Sequence, residues 1–457
     1  MKLRTKPHKY QVEGVAGIWK FKGSALLADD MGLGKTLQWL MFFAETHRSP
    51  GLVICPAHLK WNWEREAWTH FGLRSHVLEG QTIPKKFYLK HPLVIINYDI
   101  LKFWLPVLAE INPRVVAIDE CHKIANRSAQ RTKLTRLLAS RAKFRVCLSG
   151  TPLLNRPAEL WTSLNLVCPA EFPSFRAFAE RYCKPERKPW GMQYKGAENL
   201  SELRRKLRRT CMIRRRKADV LKDLPAQGRS IVPLEIKNRK EYVAAQKDFI
   251  GWLTKQSAGL AKKAIKAQQV VKQGYLLRLI ARLKVPSVIE WIDNYQSESD
   301  EKLIVFGHHR SVLGELVKRY GSKCVLINGS VTGQARQRVV DRFNKDKRIK
   351  LLFANTTAAN SGWSCTSTST TAFCEFEWTS GEHLQAEART HGLGRGRKGV
   401  RSHSYYLVGR DTIEDLLCKL LQKKQRDLEE TLDGIGKGDS LDLHDELTRL
   451  LLEKVRA

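Results

Sequence analysis

The residues best suited to chemistry lie near the N-terminus, in the run DDMGLGKTLQ at 29–38, directly after the apolar run SALLA. Gly32 and Gly34 leave room for backbone N–H groups to face an anion, and Lys35 adds a mobile positive charge. Thr36 carries a hydroxyl that can ligate Mg²⁺, and a helix beginning there would direct its positive dipole end at the same anion. The run therefore predicts a phosphate loop that binds ATP and Mg²⁺.

Two details of this run qualify the prediction. The strict phosphate-binding pattern begins with glycine, whereas this chain has Asp29 at that position. The short Gly-x-Gly-Lys-Thr pattern also arises by chance, and it is the preceding strand and the following helix that make a phosphate site the favoured interpretation.

A second part of such a site would be acidic residues at the end of a strand. VVAIDECH supplies them, with Asp119 and Glu120 at the end of the apolar run 115–119. Asp119 is predicted to hold Mg²⁺ through water, and Glu120 to polarise the attacking water. An acidic pair after a strand is usually surface charge, but a phosphate loop earlier in the chain favours the catalytic interpretation.

Two blocks of short apolar runs alternate with helix-like segments and would position these residues. We predict strands at 24–28, 51–55, 93–97, 115–119 and 144–149 in the first block, residues 1–165, and at 302–306, 324–328, 349–354, 372–378 and 404–408 in the second, residues 286–411. Short apolar strands separated by helices are typical of parallel sheets covered on both faces. The predicted fold class is α/β, with two parallel-sheet domains.

The remaining segments differ in composition. Residues 166–285 are strongly basic and are predicted to form a helical insertion with almost no strand pattern. Its densest stretch, Arg204–Lys217, has nine basic residues of 14. Such a run is often a solvated helix face, but the charge of the chain favours contact with nucleic acid or coupling between domains. Residues 412–457 are predicted to form a C-terminal helical brace.

Composition bounds the partners and the compartment. The 80 Lys and Arg residues exceed the 46 Asp and Glu residues by 34, and such a charge indicates a polyanion partner, most often nucleic acid. No apolar run is long enough to span a membrane, and the first residues do not form a signal peptide. The ten cysteines form no CxxC pair, which fits an intracellular, reducing compartment.

Ten runs in order along nearly the whole chain resemble the motifs of superfamily-two helicase-like ATPases, specifically the Swi/Snf-type DNA translocases. They are PHKYQVEGV (7–15), LLADDMGLGKTLQ (26–38), LVICPAHLKWNWEREAW (52–68), IDECHKIAN (118–126), LSGTPLLN (148–155), MIRRRKADVLKDLP (212–225), LIVFGHHRSVL (303–313), INGSVTGQARQRVVDRFN (327–344), TTAANSGW (356–363) and HLQAEARTHGLGR (383–395). VFGHHR and MIRRRKADVLKDLP resemble the annealing-helicase branch, which remodels stalled forks.

The resemblance implies two RecA-like domains facing each other across an ATP cleft, in a monomer that tracks on duplex or forked DNA without sequence preference. Strand annealing is a further activity that the resemblance leaves open, and protein partners are unknown. Two alternatives stay open as well: a strand-separating DNA or RNA helicase, and a non-catalytic DNA-binding scaffold with a weakened ATP site. A chain without accessory domains would suit a viral or bacterial source.

The resemblance also assigns roles by position. Nucleotide binding falls to Gln11, which would read adenine, and to Asp30, Gly32, Gly34, Lys35, Thr36 and Gln385. Lys35, Glu120 and Arg389 would be catalytic, with Arg389 as the arginine finger, while Thr36 and Asp119 would hold Mg²⁺. Ser149, Gly150 and Thr151 would couple hydrolysis to domain movement. Contacts with a DNA strand fall to Pro56, Lys60, Asn328, Gly329, Thr357 and Ala358.

The last motif departs from the family pattern. Gly392 replaces a second arginine that would reach the γ-phosphate, and Arg395 replaces a glutamine. Arg395 or Arg397 could compensate from the same loop, so a catalytically weakened enzyme is one interpretation. Trp63 lies in the run that resembles the first DNA-tracking motif, although a tryptophan at helical spacing is more often a core residue.

Overall fold

The computed structural model describes residues 1–457 except 85–86, 153–155, 189–190, 195, 222–226, 256–261, 332, 357–362, 364, 379, 392–399, 422–446, 448–449 and 452–457. The chain divides into two compact units. Unit 1 includes Met1–Leu224, and unit 2 includes Pro225–Arg426. This division falls within the segment 166–285, which was predicted as one insertion. The four-part domain organisation stays a prediction.

Unit 1 contains a parallel sheet in the order β3-β4-β2-β5-β6-β1-β9 and a separate β7-β8 hairpin. Its strands are β1 Ser24–Leu27, β2 Gly51–Cys55, β3 Ser75–Val77, β4 Leu93–Asn97, β5 Val115–Asp119, β6 Phe144–Leu148, β7 Glu186–Lys188, β8 Gly191–Gln193 and β9 Met212–Ile213. Its helices are α1 Lys9–Lys20, α2 Lys35–Thr46, α3 Lys60–Phe71, α4 Leu101–Ile111, α5 Gln130–Arg141, α6 Trp161–Val167, α7 Phe175–Tyr182, α8 Leu200–Thr210 and α9 Lys217–Val220.

The apolar runs form strands because both faces of the sheet are covered. Along β2, Leu52 and Ile54 pack in one core cluster, while Val53 and Cys55 pack in another on the opposite face. Since side chains alternate along a strand, a run buried on both faces is apolar throughout rather than at every second position. The five strands predicted for the first block are confirmed to within one residue.

Unit 2 contains a parallel sheet in the order β10-β15-β14-β11-β13-β12. Its strands are β10 Gly228–Leu234, β11 Leu303–Gly307, β12 Cys324–Ile327, β13 Leu351–Asn355, β14 Thr370–Phe373 and β15 His403–Gly409. Its helices are α10 Arg239–Lys255, α11 Lys262–Leu283, α12 Val285–Glu298, α13 Arg310–Tyr320, α14 Gly333–Lys345 and α15 Ser380–Glu387. The predicted α/β class with two parallel-sheet domains is confirmed.

One predicted strand has the wrong bounds. The strand predicted at 372–378 ends at Phe373, because Glu375 and Glu377 beyond it are buried acceptors rather than strand residues. Glu375 accepts the backbone N–H groups of His308 and His309 at 2.7 and 2.9 Å, and Glu377 contacts the His308 ring.

The segment predicted as a helical insertion is rich in helices, and it also contributes an edge strand to each sheet. β9 pairs with β1, with Met212 opposite Leu26, and β10 pairs with β15 over seven residues. The run GRSIVPL in β10 is half-exposed and mixes polar and apolar residues, so its pattern is weaker than that of a central strand.

The C-terminal region is described only in part. Residues 413–421 are helical, as predicted for the start of the brace, and most of the remainder lies outside the described residues. Among the helices that the structure describes, none combines the length and apolarity that crossing a membrane requires.

Candidate active site

The predicted phosphate loop lies between β1 and α2. Gly32 and Gly34 have φ of +87° and +71°, in the left-handed region that glycine adopts without a Cβ penalty. Gly34 is the N-cap of α2, and no side chain of the described residues caps this helix. The first turn of α2 therefore keeps backbone donors available for an anion.

Lys35 is held against the backbone of this loop. Its Nζ donates to the carbonyl oxygens of Asp29 at 2.7 Å and Asp30 at 3.2 Å. Burial lowers the pKa of Lys35, and the nearby carboxylates of Glu120 and Asp29 oppose that shift. The two acceptors of this half-buried ammonium are neutral carbonyl oxygens. An incoming phosphate, which is charged, would be a stronger acceptor for Lys35.

Gln11 lies against the same loop. Its side chain is buried, its Oε1 accepts from the backbone N–H of His8 at 2.9 Å, and its Nε2 donates to the carbonyl of Leu33 at 3.3 Å. A Cβ on Gly34 would collide with the Gln11 amide, so glycine is also required there for close approach. The structure thus brings Gln11 to the loop, and its predicted contact with adenine stays a prediction.

Asp119 ends β5 and is fixed by hydrogen bonds. Its Oδ1 accepts from the backbone N–H of Glu120 at 2.9 Å, and its Oδ2 accepts from Trp63 Nε1 at 2.7 Å. The Tyr98 hydroxyl donates to the Asp119 carbonyl at 2.6 Å. Burial and the neighbouring Glu120 carboxylate raise the pKa of Asp119 to about 7. A desolvated carboxylate of this kind gains from a bound cation.

Glu120 has an unusual backbone conformation and strong side-chain partners. Its φ is +48°, a region that costs a residue with a Cβ of the order of 1–3 kcal/mol and that occurs often at functional sites. Its carboxylate lies 3.3 Å from His122 Nδ1 and 3.3 Å from Ser149 Oγ. Burial alone would raise the pKa of Glu120, but His122, Lys35 and Ser149 outweigh it and lower the pKa to about 2. Glu120 is therefore ionised at neutral pH.

The run after β6 completes this arrangement. Ser149 Oγ donates to Glu120 and also accepts the backbone N–H of Thr151 at 3.2 Å. A Cβ built on Gly150 would lie 3.2 Å from Lys35 Nζ, so the backbone here is close to the phosphate loop. Three predicted motifs, at the carboxyl ends of the neighbouring strands β1, β5 and β6, thus meet at one place in unit 1.

Trp63 has a role at this site that the sequence did not indicate. The side chain is 1% exposed on α3, as a core residue would be, but its indole N–H donates to the Asp119 carboxylate. A buried indole N–H needs an acceptor, but nothing local in the sequence identifies Asp119 as that acceptor.

We expect Trp63→Phe to weaken the dependence of the protein on Mg²⁺. Phenylalanine keeps most of the apolar contact and removes the donor that orients Asp119. Changes of residues that orient metal ligands typically cost roughly 10–100-fold in metal affinity. The Mg²⁺ concentration for half-maximal nucleotide binding should rise by about tenfold, as titrated with a fluorescent ATP analogue. Trp68→Phe, at an exposed position of the same helix, is the control, and an unchanged Mg²⁺ titration of Trp63→Phe would contradict this role.

The basic run 204–217 divides into two parts. Arg214 pairs with Asp30 at 3.2 Å and donates to the Ala28 carbonyl at 2.8 Å, and Arg215 pairs with Asp29 at 2.5 Å. These two guanidinium groups lie largely buried against the phosphate loop. Of the two roles expected for this run, contact with nucleic acid does not fit the buried Arg214 and Arg215, and coupling between domains stays a prediction. Three arginines of α8 are exposed, and contact with nucleic acid stays a prediction for them: Arg205, Arg208 and Arg209.

The predicted DNA contacts of unit 1 lie in buried positions. Pro56 is buried directly after β2, and the Lys60 ammonium donates to the carbonyl of Leu78 at 2.8 Å. Burial lowers the pKa of Lys60. These positions give no support to contact with DNA phosphates, which stays a prediction for both residues.

Unit 2 holds the remaining predicted residues. Asn328 and Gly329 follow β12, where Asn328 Oδ1 accepts the backbone N–H of Ser330 at 3.1 Å. Arg389 is buried, with Nε donating to the carbonyl of Gln385 at 3.1 Å and Nη1 to that of Trp363 at 2.9 Å. The roles of these residues stay predictions. Five further residues lie outside the described part of the chain: Thr357, Ala358, Gly392, Arg395 and Arg397.

Comparison with known proteins identifies the family. The SNF2-related domain model matches residues 10–285, and the helicase conserved C-terminal domain model matches residues 284–394. The SWI/SNF-related matrix-associated actin-dependent regulator of chromatin subfamily A-like protein 1 of Xenopus tropicalis is 33% identical over 432 residues, which cover 93% of this chain and 44% of that protein. The DNA annealing helicase and endonuclease ZRANB3 of Mus musculus is 29% identical over 462 residues, which cover 95% of this chain and 41% of that protein.

The chain spans less than half the length of these curated relatives. Both relatives are animal proteins, which gives the suggested viral or bacterial source no support.

A solved structure, the Sulfolobus solfataricus SWI2/SNF2 ATPase core in complex with dsDNA, is similar to this chain, with 22% identity and a TM-score of 0.45. The similarity covers 99% of this chain and 97% of that one.

The resemblance predicted from ten motifs is thus confirmed, including the similarity to annealing helicases. The two family models follow each other along the chain, and the first alone matches more than half of its residues. The chain belongs to the SNF2-related family, with a helicase C-terminal domain.

Proposed function

We propose that this chain is a DNA-dependent ATPase that translocates along duplex or forked DNA without sequence preference. The observation that supports this most strongly is the meeting of Lys35, Glu120 and the Ser149–Gly150 backbone at the carboxyl ends of adjacent parallel strands. Ligands of open parallel sheets bind at this edge. The combination of a half-buried lysine with an ionised glutamate is suited to phosphoryl transfer to water.

Each of these residues has a task in hydrolysis. Lys35 exchanges the carbonyl oxygens of Asp29 and Asp30 for the β- and γ-phosphates of ATP, while the N-terminus of α2 donates to the same phosphates. Glu120, ionised and held by Ser149 and His122, accepts a hydrogen bond from the attacking water and orients it.

A magnesium ion fits the residues at this site. Asp119 and Thr36 would hold it, because Asp119 offers a half-buried carboxylate whose pKa is raised by burial and by the neighbouring Glu120 carboxylate, and a bound cation would favour its ionised form. When bound, Mg²⁺ would neutralise charge on the phosphate oxygens.

The proposed partner is the DNA backbone. The net charge of +34 favours a polyanion, and contacts to phosphates carry no sequence information. The mouse relative is named a DNA annealing helicase, which supports DNA as the partner and strand annealing as a further activity. We propose that the chain acts as a monomer inside the cell.

A panel of nucleic acids tests the proposal. ATP hydrolysis by the full chain is measured without nucleic acid and with single-stranded DNA, duplex DNA, forked DNA and duplex RNA. We expect duplex and forked DNA to stimulate hydrolysis, and single-stranded DNA and RNA to stimulate it less. DNA binding without stimulated hydrolysis would favour the non-catalytic scaffold, and stimulation chiefly by RNA would contradict the proposed substrate.

A further inference from the structure

Arg215 connects three segments that surround the phosphate loop. It lies two residues beyond β9 and is separated from Asp29 by 186 positions in the sequence. Its guanidinium contacts Asp29 before the loop glycines, Gln38 in α2 and the backbone of Tyr10 in α1. All of these contacts lie within unit 1.

The contact with Asp29 is the most extensive. Asp29 Oδ1 accepts from the Arg215 backbone N–H and from Nε, both at 3.0 Å, and Oδ2 lies 2.5 Å from Nη2. Gln38 Nε2 is the fourth donor to this carboxylate and bonds to Oδ2 at 3.1 Å. Asp29 has no exposed surface, so its charge is stabilised by these donors rather than by water.

The other contacts of Arg215 extend to both helices beside the loop. Nη2 donates to Gln38 Oε1 at 2.7 Å, and Nη1 donates to the carbonyl oxygen of Tyr10. The guanidinium also lies 5.5 Å from the centre of the Tyr10 ring. Gly14 leaves the space for this approach, since a Cβ there would collide with Gln38 and with Arg215.

These contacts act on the residues that bind nucleotide. The Asp29 side chain is held by Arg215, while its carbonyl oxygen holds Lys35 Nζ at 2.7 Å. Tyr10 directly precedes Gln11, the residue predicted to read adenine. Arg214 and the backbone N–H of Lys217 hold the Asp30 carboxylate at 3.2 and 3.0 Å, so the same segment fixes both acidic residues of the loop.

We infer that Arg215 is a positioning residue of the nucleotide site. It holds the phosphate loop and Gln11 in fixed positions relative to each other, and it thereby determines nucleotide affinity and the preference for adenine. The inference rests on the proposed function. It also gives Asp29 a role at the position where the strict phosphate-binding pattern has glycine, because the carboxylate anchors Arg215. A surface contact with DNA is not part of this role.

Lysine cannot replace arginine here. One ammonium cannot reproduce a planar fork that donates to Asp29, Gln38 and Tyr10 at once, although it keeps the charge that Asp29 needs. The variant Arg215→Lys therefore tests geometry while the buried charge stays paired. Arg215→Met would leave Asp29 buried and unpaired, with a larger effect on folding.

The test compares nucleotide binding by the parent chain and by Arg215→Lys. The affinities for fluorescent ADP and fluorescent GDP are measured together with the melting temperature. Arg216→Lys is the matched control, because Arg216 is exposed and pairs with Asp219 at 2.8 Å on the surface. We expect Arg215→Lys to lose ADP affinity by roughly 10–100-fold, the scale of losing a charge-assisted hydrogen bond, and to discriminate less between ADP and GDP. The Arg216→Lys control should match the parent in both.

The salt dependence of duplex DNA binding separates this role from a DNA contact. We expect the slope of log affinity against log salt to be the same in Arg215→Lys and the parent. Unchanged ADP affinity and base preference in a folded Arg215→Lys would overturn the inference, and so would a flatter salt slope with normal ADP binding. If the parent binds neither nucleotide, the proposed function fails and the inference with it, whereas equal binding by parent and variant overturns the inference alone.

Discussion

Lys35→Ala is expected to abolish ATP hydrolysis while the protein stays folded. The half-buried Lys35 ammonium bonds to two backbone carbonyls of its own loop. Its loss removes the charge that stabilises the β- and γ-phosphates as negative charge develops in the transition state. Removing one such electrostatic donor costs about 10²–10³-fold in rate, so DNA-stimulated phosphate release should fall by at least ~10²-fold.

The control for this variant is Lys20→Ala. Lys20 lies exposed in the last turn of α1, so its replacement removes the same charge at a distance from the loop. We expect parental turnover in Lys20→Ala and a parental far-UV circular dichroism spectrum in both variants. Parental turnover in Lys35→Ala would contradict the assignment of the phosphate loop.

Glu120→Gln is expected to lower hydrolysis strongly and to leave nucleotide binding intact. The amide has nearly the same shape as the carboxylate, but it lacks the charge that polarises the attacking water. Because His122, Lys35 and Ser149 lower the pKa of Glu120, the parent carries this charge at neutral pH. Positioned proton transfer contributes typically ~10²–10⁴-fold, and single-turnover hydrolysis should fall by that range.

ATP binding separates this effect from a loss of structure. Lys35 and the N-terminus of α2 are unchanged in Glu120→Gln, so the affinity for ATP should stay within a few-fold of the parent, as measured by equilibrium titration. Glu110→Gln, at the exposed end of α4, is the control. Parental single-turnover rates in Glu120→Gln would show that another group orients the water.

The parts of this site that sequence could predict are local. Lys35 and Thr36 follow an apolar strand at fixed spacing, and Asp119 and Glu120 end another, so backbone geometry alone brings them to one edge of a parallel sheet. The central strands were predictable for a related reason, because burial on both faces demands uninterrupted apolar runs such as GLVIC. The φ of Glu120, in contrast, has no local sequence signal.

The parts that sequence could not predict depend on distant partners. A run of arginines by itself indicates a solvated or DNA-binding surface. In the structure, Asp29 and Asp30 lie beside this run, although Asp29 is 186 positions from Arg215 in the sequence. Lys60 was assigned to DNA from its place in a run that resembles a DNA-tracking motif, yet its ammonium donates to the buried carbonyl of Leu78. Trp63 lies in a run that resembles a DNA-tracking motif, and the alternative of a core residue is correct, but its indole N–H also orients Asp119.

Displacement of a third strand from a triplex tests the central claim most directly. The full chain is given ATP and a duplex carrying a labelled triplex-forming strand, with Lys35→Ala as the control and a tailed duplex as the second substrate. Translocation on duplex DNA predicts ATP-dependent release of the third strand by the parent, none by Lys35→Ala, and little unwinding of the tailed duplex. Efficient unwinding of the tailed duplex without triplex displacement would contradict the account and favour a strand-separating helicase.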